Sequence, residues 1–437
     1  MRQVLRCLIV STCTAISGYS AANIELPPAR QIEVATVKGA QISGLLGKNM
    51  ADNNYSVMAI SDGKLVPIPF QFDDIDIKGF PFVPGGVLEV KGEEDIFEAH
   101  DELAFMLKDI GEKATQEQKA AVSGKVLNEL EFAAGINGSI YAYVVEGNSE
   151  RSDVRYVSFN KETGLVKTES YSLQISPDNA LVWSDFFYEG FKSDETILDT
   201  MKLRIRAKLG FISATLSNRL IPNNIQAVKD GPVRNVISVD ATIGILGVNF
   251  AHAGAAVTLN RDSLEFPVFV TIPSAASILS SLDIDISLDF NDLDGAKVRT
   301  ALGPAEPIIA GSSTPNTEHK VTLEDNWLSG SSGKNWDIIA IYNGSDNFEP
   351  SMKFLYKDKA LGDKADKPER FKGSSPQVGY VVGDIPTGID AVIGINLYFS
   401  EDFWSNGGLE TATEQVRKPL VATVTNESAI NINVGEL

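Results

Sequence analysis

Short segments in which apolar and polar residues alternate recur along most of this chain. Val154–Phe159, Lys167–Ile175 and Val233–Asp240 are typical, and Gly, Asn, Asp or Pro residues bound them. A strand turns successive side chains to opposite faces, so a period of two predicts strands with one buried face. Many short strands with turn residues between them predict an all-β protein that consists mainly of a large antiparallel β-sandwich.

A few local signals refine this picture. Tyr55–Ile60 and Leu65–Phe72 flank the dipeptide Asp62-Gly63, which predicts a hairpin because these residues accept the positive φ angles of a tight turn. Gln41–Leu46 alternates weakly and predicts another strand, whereas Glu410–Arg417 has the composition of a short helix.

The chain divides into three parts on these patterns. Residues 1–22 form a leader, residues 23–135 form a smaller N-terminal β region, and residues 136–437 form the large β-sandwich domain. Gly303–His319 and Lys357–Pro376 are rich in turn and polar residues, so we expect solvated linkers there.

The first segment has the three parts of a secretory signal peptide. Arg2 and Arg6 precede an apolar stretch, Leu8–Ile16, and small residues that end at Ala22 provide a cleavage site. We therefore expect a periplasmic or secreted protein. The only cysteines lie within this segment, so the mature chain contains no thiol and no disulfide.

The net charge of the chain limits the classes of partner that it can bind. The chain of 437 residues has 38 Lys and Arg against 58 Asp and Glu, a net charge of −20. Such a surface repels phosphate backbones, and there is no phosphate loop or basic patch, so we expect no nucleic acid partner. Val236–Leu259 is apolar, but Asp240, Asn249 and His252 interrupt it, so we expect no transmembrane span in the mature chain.

Two segments carry opposite charges at every second position. In Met201–Leu209 the basic side chains, Arg204 and Arg206 among them, share one face, and in Asp283–Phe290 the aspartates share one face. If the two strands are neighbours, the charges pair across the sheet on a solvated face. The other interpretation is that the basic face is an anion-binding site, with Arg204 and Arg206 as ligand-binding residues, and strands on different sheets would favour it.

Three short motifs flank predicted strands: Pro69-Phe70-Gln71-Phe72-Asp73, Asp101-Glu102-Leu103-Ala104-Phe105, and Gly231-Pro232-Val233-Arg234. This combination resembles exported bacterial β proteins of unassigned function and, more distantly, the galactose-mutarotase-like supersandwich of polysaccharide lyases. The resemblance implies an all-β, supersandwich-like fold and the handling of saccharides. It assigns no catalytic residue.

Acidic residues crowd the first motif. Asp73, Asp74 and Asp76 are candidate ligands for a structural Ca²⁺, because this ion prefers carboxylate oxygens. The complete frame of a calcium loop is not met, and the other interpretation is that these carboxylates only cap turns. We expect no other cofactor.

The sequence supports a catalytic site less strongly than a binding site. A lyase needs a base beside a cation that neutralises the substrate carboxylate, and His252 and Arg234 are the candidates. His252 lies in an apolar Gly- and Ala-rich segment, which predicts a buried side chain. The other interpretations are a core histidine with satisfied hydrogen bonds and a surface arginine with an acidic partner.

Aromatic clusters favour binding instead. Trp183 and Tyr188 fall in a segment with three phenylalanines, and Trp404 follows Phe403 before a Ser-Asn-Gly-Gly turn. Sugar rings stack on such side chains, although large aromatics also fill cores. The interpretation we adopt is an exported, non-catalytic β-sandwich that binds a saccharide or a cell-envelope partner. The alternative is a carbohydrate-active enzyme of polysaccharide-lyase or mutarotase type.

Overall fold

A computed structural model describes residues 25–134, 138–245, 248–312, 320–345, 351–358, 370–371 and 376–427. The expected leader, residues 1–22, lies outside these ranges, as do parts of both expected linkers. Within the described ranges, no helix is both long and apolar enough to span a membrane.

Most of the described chain is strand. The strands of the first half are β1 Val34–Lys38, β2 Tyr55–Ser61, β3 Lys64–Pro67, β4 Phe70–Asp73, β5 Glu102–Met106, β6 Lys125–Ala133, β7 Ser139–Glu146, β8 Val157–Asn160, β9 Leu165–Thr168, β10 Tyr171–Ser176, β11 Asn179–Tyr188, β12 Leu198–Leu209 and β13 Ile212–Ser217. Helices are short: α1 Pro28–Gln31, α2 Gln116–Ala120 and α3 Leu409–Arg417.

The second half adds longer strands. They are β14 Asn223–Lys229, β15 Asn235–Ile245, β16 Val248–Leu259, β17 Ser263–Ile272, β18 Ser281–Phe290, β19 Lys297–Thr300, β20 Ile308–Ile309, β21 Lys320–Val321, β22 Trp327–Ser331, β23 Asp337–Gly344, β24 Ser351–Lys357, β25 Gln377–Gly383, β26 Ile389–Ser400 and β27 Thr423–Asn426. The predicted all-β class is confirmed.

The large sandwich forms where two antiparallel sheets share a core. One has the strand order β13-β12-β18-β25-β24-β21, and the other has the order β14-β15-β16-β17-β26-β23-β22-β19-β20. Their inward rows are apolar, and they meet in the largest cluster of buried hydrophobic residues in the described chain. A smaller sheet, β11-β10-β9-β8, adds to this core through alternate residues such as Tyr171, Leu173 and Ile175.

The N-terminal region has its own core between two further sheets, with strand orders β1-β5-β4 and β27-β6-β7-β2-β3. The predicted hairpin joins β2 to β3, and its turn residues Asp62 and Gly63 have φ angles of 49° and 74°. Strand β3 contains Pro67 and lies at the sheet edge, where a missing backbone N–H costs no ladder hydrogen bond.

The two oppositely charged strands are neighbours, as one of the two hypotheses required. Strand β12 pairs antiparallel with β18, and Arg204 lies opposite Asp285 while Arg206 lies opposite Asp283. Their charged rows therefore share one face of the sheet, and their apolar rows face the core.

Other local predictions had mixed outcomes. The helix at Glu410–Arg417 is confirmed by α3, but the strand predicted at Gln41–Leu46 is wrong, because the chain there forms two 3₁₀ turns, Gly39–Gln41 and Ser43–Leu45. Ile42 and Leu45 are both buried, three residues apart, which is the period of such turns rather than of a strand.

The pairing of the strands also concerns the boundary between the two β regions. The boundary after residue 135 stays a prediction. Strand β7 pairs with β6 and β2, and β27 pairs with β6, so both belong to the N-terminal sheets. Arg30 of α1 donates to the carbonyl oxygens of Gln415 and Lys418, at 3.1 and 3.0 Å. We therefore propose that the N-terminal unit extends through Glu146 and includes the last described strand.

Candidate functional site

The three motifs found in the sequence meet at one place between the N-terminal sheets and the sandwich. The side-chain oxygen of Gln71 accepts hydrogen bonds from the backbone N–H groups of Val233 and Arg234, at 3.1 and 3.0 Å. Its side-chain nitrogen donates to Asp73 at 2.9 Å. Gly231 is needed here because a Cβ atom at this position would lie 2.1 Å from the Gln71 oxygen.

Arg234 is the centre of a buried ionic network. Its Nε donates to Asp73 at 2.7 Å, and its Nη2 donates to Glu102 at 2.6 Å. Lys229 lies 2.9 Å from Asp73, and Lys38 donates to Glu102 at 2.6 Å. Arg234 is only 6% exposed, so the expectation of a surface arginine is wrong.

The charges in this network stabilise one another. Burial alone would raise the pKa of Asp73, but Arg234 and Lys229 outweigh it and lower that pKa to about 2. Burial likewise opposes ionisation of Glu102, yet Arg234 and Lys38 hold its pKa below the usual value. Arg234 therefore faces carboxylates of the chain itself, and we interpret the network as a structural connection between the two units.

The two candidate lyase residues lie far apart. His252 is opposite Thr242 in the β15–β16 hairpin, whereas Asn235, next to Arg234, is opposite Leu259. The two positions are seven residue steps apart along the strands, a distance of roughly 23 Å at 3.3 Å per residue. The His252 side chain is 62% exposed and lies 3.3 Å from Asp240, so the prediction of a buried histidine is wrong.

The carboxylates proposed for Ca²⁺ have separate protein partners. Asp73 binds Arg234 and Lys229, as described above. Asp74 accepts from the backbone N–H of Asp95 at 3.1 Å, and Asp76 accepts from those of Lys78 and Phe80 at 2.8 and 3.1 Å. These bonds fix turns, in agreement with the second interpretation of the acidic motif, and a structural Ca²⁺ stays a prediction.

The charged face shared by β12 and β18 is partly buried, so the expectation that it is solvated is wrong. Lys202 and Asp289 form an ion pair at 1% and 2% side-chain exposure, and Asp285 is buried as well. Arg206 is half-exposed and donates to Asp285 with both terminal nitrogens, one of them at 2.6 Å. Arg204 is buried. The proposed anion-binding role of Arg204 and Arg206 stays a prediction.

The three aromatic residues that were predicted to bind a ligand lie in surroundings that differ from one another. Trp183 is 3% exposed, packs edge-on against Phe266 and donates to the carbonyl oxygen of Ala180 at 2.9 Å, so its ring belongs to the core. Trp404 is half-buried, and its ring nitrogen donates to Ser329 at 2.8 Å. Tyr188 is also half-buried, but it lines an open polar cleft.

We call this the Tyr188 cleft, and it has a volume of about 320 Å³. Turns and strand ends from separate parts of the chain form its walls. The lining residues are Pro28, Gln31, Ile32, Glu169, Ser170, Tyr188, Glu189, Arg261, Asp262, Ser400, Glu401 and Asp402. The volume is within the range that small-molecule sites occupy.

Hydrogen bonds hold these turns together. Arg261 donates through Nε to Glu169 at 2.7 Å and through Nη1 to Asp262. The hydroxyl group of Ser170 donates to the other oxygen of Asp262, and the backbone N–H of Glu189 donates to the carbonyl oxygen of Ser170 at 2.7 Å. The cleft wall is therefore a connected polar network.

The Tyr188 cleft is acidic. Five carboxylates and one guanidinium line it. Burial, and then the charges of Asp262 and Glu401, raise the pKa of Tyr188, so its hydroxyl group stays a neutral donor. Burial also raises the pKa of Asp262, although Arg261 and Ser170 oppose this effect. Among these residues the sequence indicated only Tyr188, because the other walls come from turns that are far apart in the chain.

No protein-family model matches the sequence, and no curated protein matches it. An α-mannosidase structure from Enterococcus faecalis V583 is 10% identical, with a TM-score of 0.48, and the match covers 91% of this chain and 45% of that one. A putative aldose 1-epimerase from Escherichia coli K12 is 10% identical, with a TM-score of 0.31, over 56% of this chain and 99% of that one.

A heparan sulfate lyase from Pedobacter heparinus is 6% identical, with a TM-score of 0.33, over 59% of this chain and 38% of that one. The chain thus spans less than half the length of the mannosidase and the lyase. The solved structures to which the chain is similar thus include a putative epimerase and a heparan sulfate lyase, at identities of 10% or less.

Proposed function

We propose that the Tyr188 cleft binds a neutral saccharide and leaves it chemically unchanged. The observation that carries the proposal is a half-buried tyrosine ring beside a continuous set of hydrogen-bonding groups, in an open cleft of about 320 Å³. A sugar offers an apolar C–H face for the ring and hydroxyl groups for the surrounding carboxylates, hydroxyls and guanidinium. Carboxylates are acceptors for sugar hydroxyl groups, and Arg261 is a donor.

The charge of the cleft selects among saccharides. Five carboxylates repel an anionic ligand, and Arg261 is engaged by Glu169 and Asp262. A polyuronate or a sulfated glycan is therefore a poor ligand, whereas a neutral sugar meets no repulsion. The same repulsion opposes a lyase role at this cleft, because a polysaccharide lyase needs a cation to neutralise the substrate carboxylate.

Asp262, a buried carboxyl group in the wall of the cleft, already has hydrogen-bond partners. Asp262 is buried, and both of its oxygens accept hydrogen bonds, from Ser170 and from Arg261. A general acid must present its proton to the substrate. Asp262 instead holds the turn between β16 and β17 against the turn between β9 and β10, which is a positioning role and supports a non-catalytic cleft.

A glycan array that contains both neutral and uronate-bearing oligosaccharides tests the proposal, followed by calorimetric titration of each ligand that binds. We expect binding to neutral sugars alone. Tyr188→Ala should weaken the affinity at least tenfold, because the stacking surface is lost. Tyr141→Ala is the control, since Tyr141 is a half-buried tyrosine of the N-terminal sheet that does not line the cleft.

The same incubations are analysed for products by mass spectrometry and by NMR spectroscopy, because an epimer has the same mass as its parent sugar. Cleavage, epimerisation or elimination of any array ligand would overturn the non-catalytic assignment. An array without neutral binders, or full binding by Tyr188→Ala, would overturn the proposed cleft.

Export is part of the proposal and rests on the sequence of residues 1–22 alone. Expression of the full chain in a Gram-negative host, followed by N-terminal sequencing of the periplasmic and culture fractions, tests it. We expect a mature protein that begins at Asn23 or close to it. Full-length protein confined to the cytoplasm would contradict export.

A further inference from the structure

Three metal-ligating side chains meet at the end of the loop that connects β4 to β5. The loop comprises residues 74–101, and the three side chains are those of Glu98, His100 and Asp101. One carboxylate oxygen or ring nitrogen from each lies within 4.8 Å of the others. Nε2 of His100 is 3.5 Å from Oδ1 of Asp101 and 3.8 Å from Oε2 of Glu98. It also contacts the carbonyl oxygen of Lys91. We call the three side chains the His100 cluster.

The spacing of these atoms is that of ligands around one small ion. Zn²⁺ holds nitrogen and oxygen ligands at about 2.0–2.2 Å, so two of its ligand atoms lie no more than about 4.4 Å apart. Both carboxylate distances from the His100 nitrogen are within this limit. An N–H group on that nitrogen would point at one of the oxygens around it, whereas a metal ion contacts all of its ligands at once.

The carboxylates of the His100 cluster have no Lys or Arg partner within ion-pair distance in the described chain; their charged neighbour is His100, which carries a charge only when it is protonated. Asp101 is 1% exposed. Asp289 is exposed to the same degree but forms an ion pair with Lys202. A buried carboxylate without a fixed cation is costly, so the cluster favours a cation from solution. Glu98 and His100 are partly exposed, which leaves a path for the ion.

Backbone groups hold the ligands in position. The N–H group of Glu93 donates to Oε2 of Glu98 at 2.9 Å, and that of Ile75 donates to Oδ1 of Asp101 at 3.0 Å. Gly92 is needed for this arrangement, because a Cβ atom there would overlap the Glu98 carboxylate. A carboxylate oxygen has two lone pairs, so one hydrogen bond leaves the other lone pair for a metal ion.

The same loop carries contacts between the two units. Val83 belongs to a small apolar cluster with Val236 and Ala256 of the sandwich. The backbone N–H of Val87 donates to the hydroxyl group of Ser238 at 2.9 Å. An ion bound where the loop ends would therefore restrict the movement of the loop against the sandwich.

We propose that the His100 cluster binds a divalent transition-metal ion, with Zn²⁺ as the best fit, and that the ion holds the β4–β5 loop in place. An imidazole nitrogen together with carboxylate oxygens suits Zn²⁺, whereas Ca²⁺ and Mg²⁺ prefer sets of oxygen ligands alone. The cluster shares no residue with the Tyr188 cleft or with the acidic motif considered for Ca²⁺, so the site does not depend on the function proposed above.

Calorimetric titration of the whole, chelator-treated protein with zinc chloride tests this inference, with calcium chloride in a parallel titration. We expect one tightly bound zinc ion per chain and weaker binding of calcium. Loss of an outer partner of a metal ligand lowers affinity about 10- to 100-fold, so loss of the ligand itself in His100→Asn should weaken zinc binding by about 100-fold or more. His252→Asn is the matched control, because His252 has a single described carboxylate, Asp240, beside it. It should bind zinc as the parent does.

Glu98→Gln keeps the shape of the side chain and removes its charge, so it decides the matter if His100→Asn does not fold. It should weaken zinc binding by about tenfold or more. Hydrogen exchange measured by mass spectrometry provides a second readout: zinc should slow exchange in residues 74–101 of the parent but not of His100→Asn.

Four outcomes would overturn the proposed site. They are the absence of saturable zinc binding, parental affinity in Glu98→Gln, an equal loss of affinity in His252→Asn and His100→Asn, and tighter binding of calcium than of zinc. Zinc binding without slower exchange in residues 74–101 would overturn the proposed role of the ion in holding the loop.

Discussion

Arg234, the residue that precedes β15, donates a hydrogen bond of 2.7 Å to Asp73 at the end of β4, although 161 positions separate them in the chain. The ion pair joins the longest hairpin of the sandwich to the three-stranded N-terminal sheet. Gln71 reinforces it from the same strand as Asp73, by binding the backbone of Val233 and Arg234. These buried polar contacts thus help to fix the relative position of the two units.

Loss of the guanidinium should destabilise the protein strongly. Arg234→Met leaves Asp73 and Glu102 buried without their shared partner, and we expect a loss of about 3–5 kcal/mol in the free energy of unfolding. Denaturant titration measures it. Arg155→Met is the control, because the pair of Arg155 with Asp230 is exposed and should contribute about 1 kcal/mol or less. Equal effects of the two substitutions would contradict the network described.

A single methyl group at Gly231 should disturb the same network. In Gly231→Ala the new Cβ atom displaces the Gln71 amide and leaves buried backbone N–H groups unpaired, which costs about 1–3 kcal/mol. Gly44→Ala is matched to it, since no atom lies within 4 Å of the added Cβ there. We expect Gly44→Ala to change the stability by about 0.5 kcal/mol or less. A chemical denaturation series with both variants checks the difference, and a stable Gly231→Ala protein would refute the close contact.

Asp337 should make the stability depend on pH. Burial raises its pKa to about 6, although Ser331 and the backbone N–H of Trp404 oppose this effect. The unfolded state ionises near pH 4, so between pH 4 and 6 the unfolded state gains stability and the folded state does not. Asp337→Asn has no ionisable group at this position, so its folded state loses no stability relative to its unfolded state across this pH range. We expect its unfolding free energy relative to the parent to rise across this window, by up to about 3 kcal/mol, and to level off above pH 6.

At a second aspartate, Asp292, the effect of pH on the free energy of unfolding should have the opposite sign. A hydrogen bond from Lys334 lowers the pKa of Asp292, so its ionised form stabilises the folded state at neutral pH. Asp292→Asn should therefore lose stability relative to the parent as the pH rises through the acidic range. Parallel slopes for the two variants would show that Asp337 is not the origin of the effect.

The buried pair Lys202–Asp289 should show strong coupling in a double-mutant cycle. Each single substitution, Lys202→Met or Asp289→Leu, removes one charge of a buried pair and should cost about 3–5 kcal/mol. The double variant should cost clearly less than the sum, because it loses the interaction between the two charges only once. The half-exposed pair Lys334–Asp292 serves for comparison and should couple by less than about 1 kcal/mol. Additive effects at Lys202 and Asp289 would exclude the buried pair.

The sequence was informative where a local pattern determines the structure. Alternation in Met201–Leu209 and Asp283–Phe290 was sufficient to predict two strands that each have one charged face, because the side-chain period of a strand is fixed. Their adjacency was only a hypothesis until the pairing of β12 with β18 was seen. Burial of the charged face was not predictable, since it depends on what covers the sheet. His252 shows the same limit: its apolar neighbours suggested burial, but a strand also presents every second residue outward.

The candidate site depended on contacts that no local pattern encodes. Glu169, Asp262 and Glu401 approach Tyr188 through three turns that are distant in the chain, and nothing in their spacing indicates a common cleft. The three short motifs were noticed in the sequence, but their meeting at Arg234 follows only from the packing of two units. Cavities are still less predictable, because they arise from the combined volumes of side chains on facing sheets.

The pairing of β27 with β6 has a consequence for biosynthesis. A ribosome delivers Lys125–Ala133 long before Thr423–Asn426, so the first sheet acquires its outer strand only after the strands of the sandwich have been made. Until then, the hydrogen-bonding groups along one side of β6 are open to pairing with other chains. We expect that the nascent protein depends on a chaperone to shield that edge, and that the N-terminal sheet is completed late in its assembly.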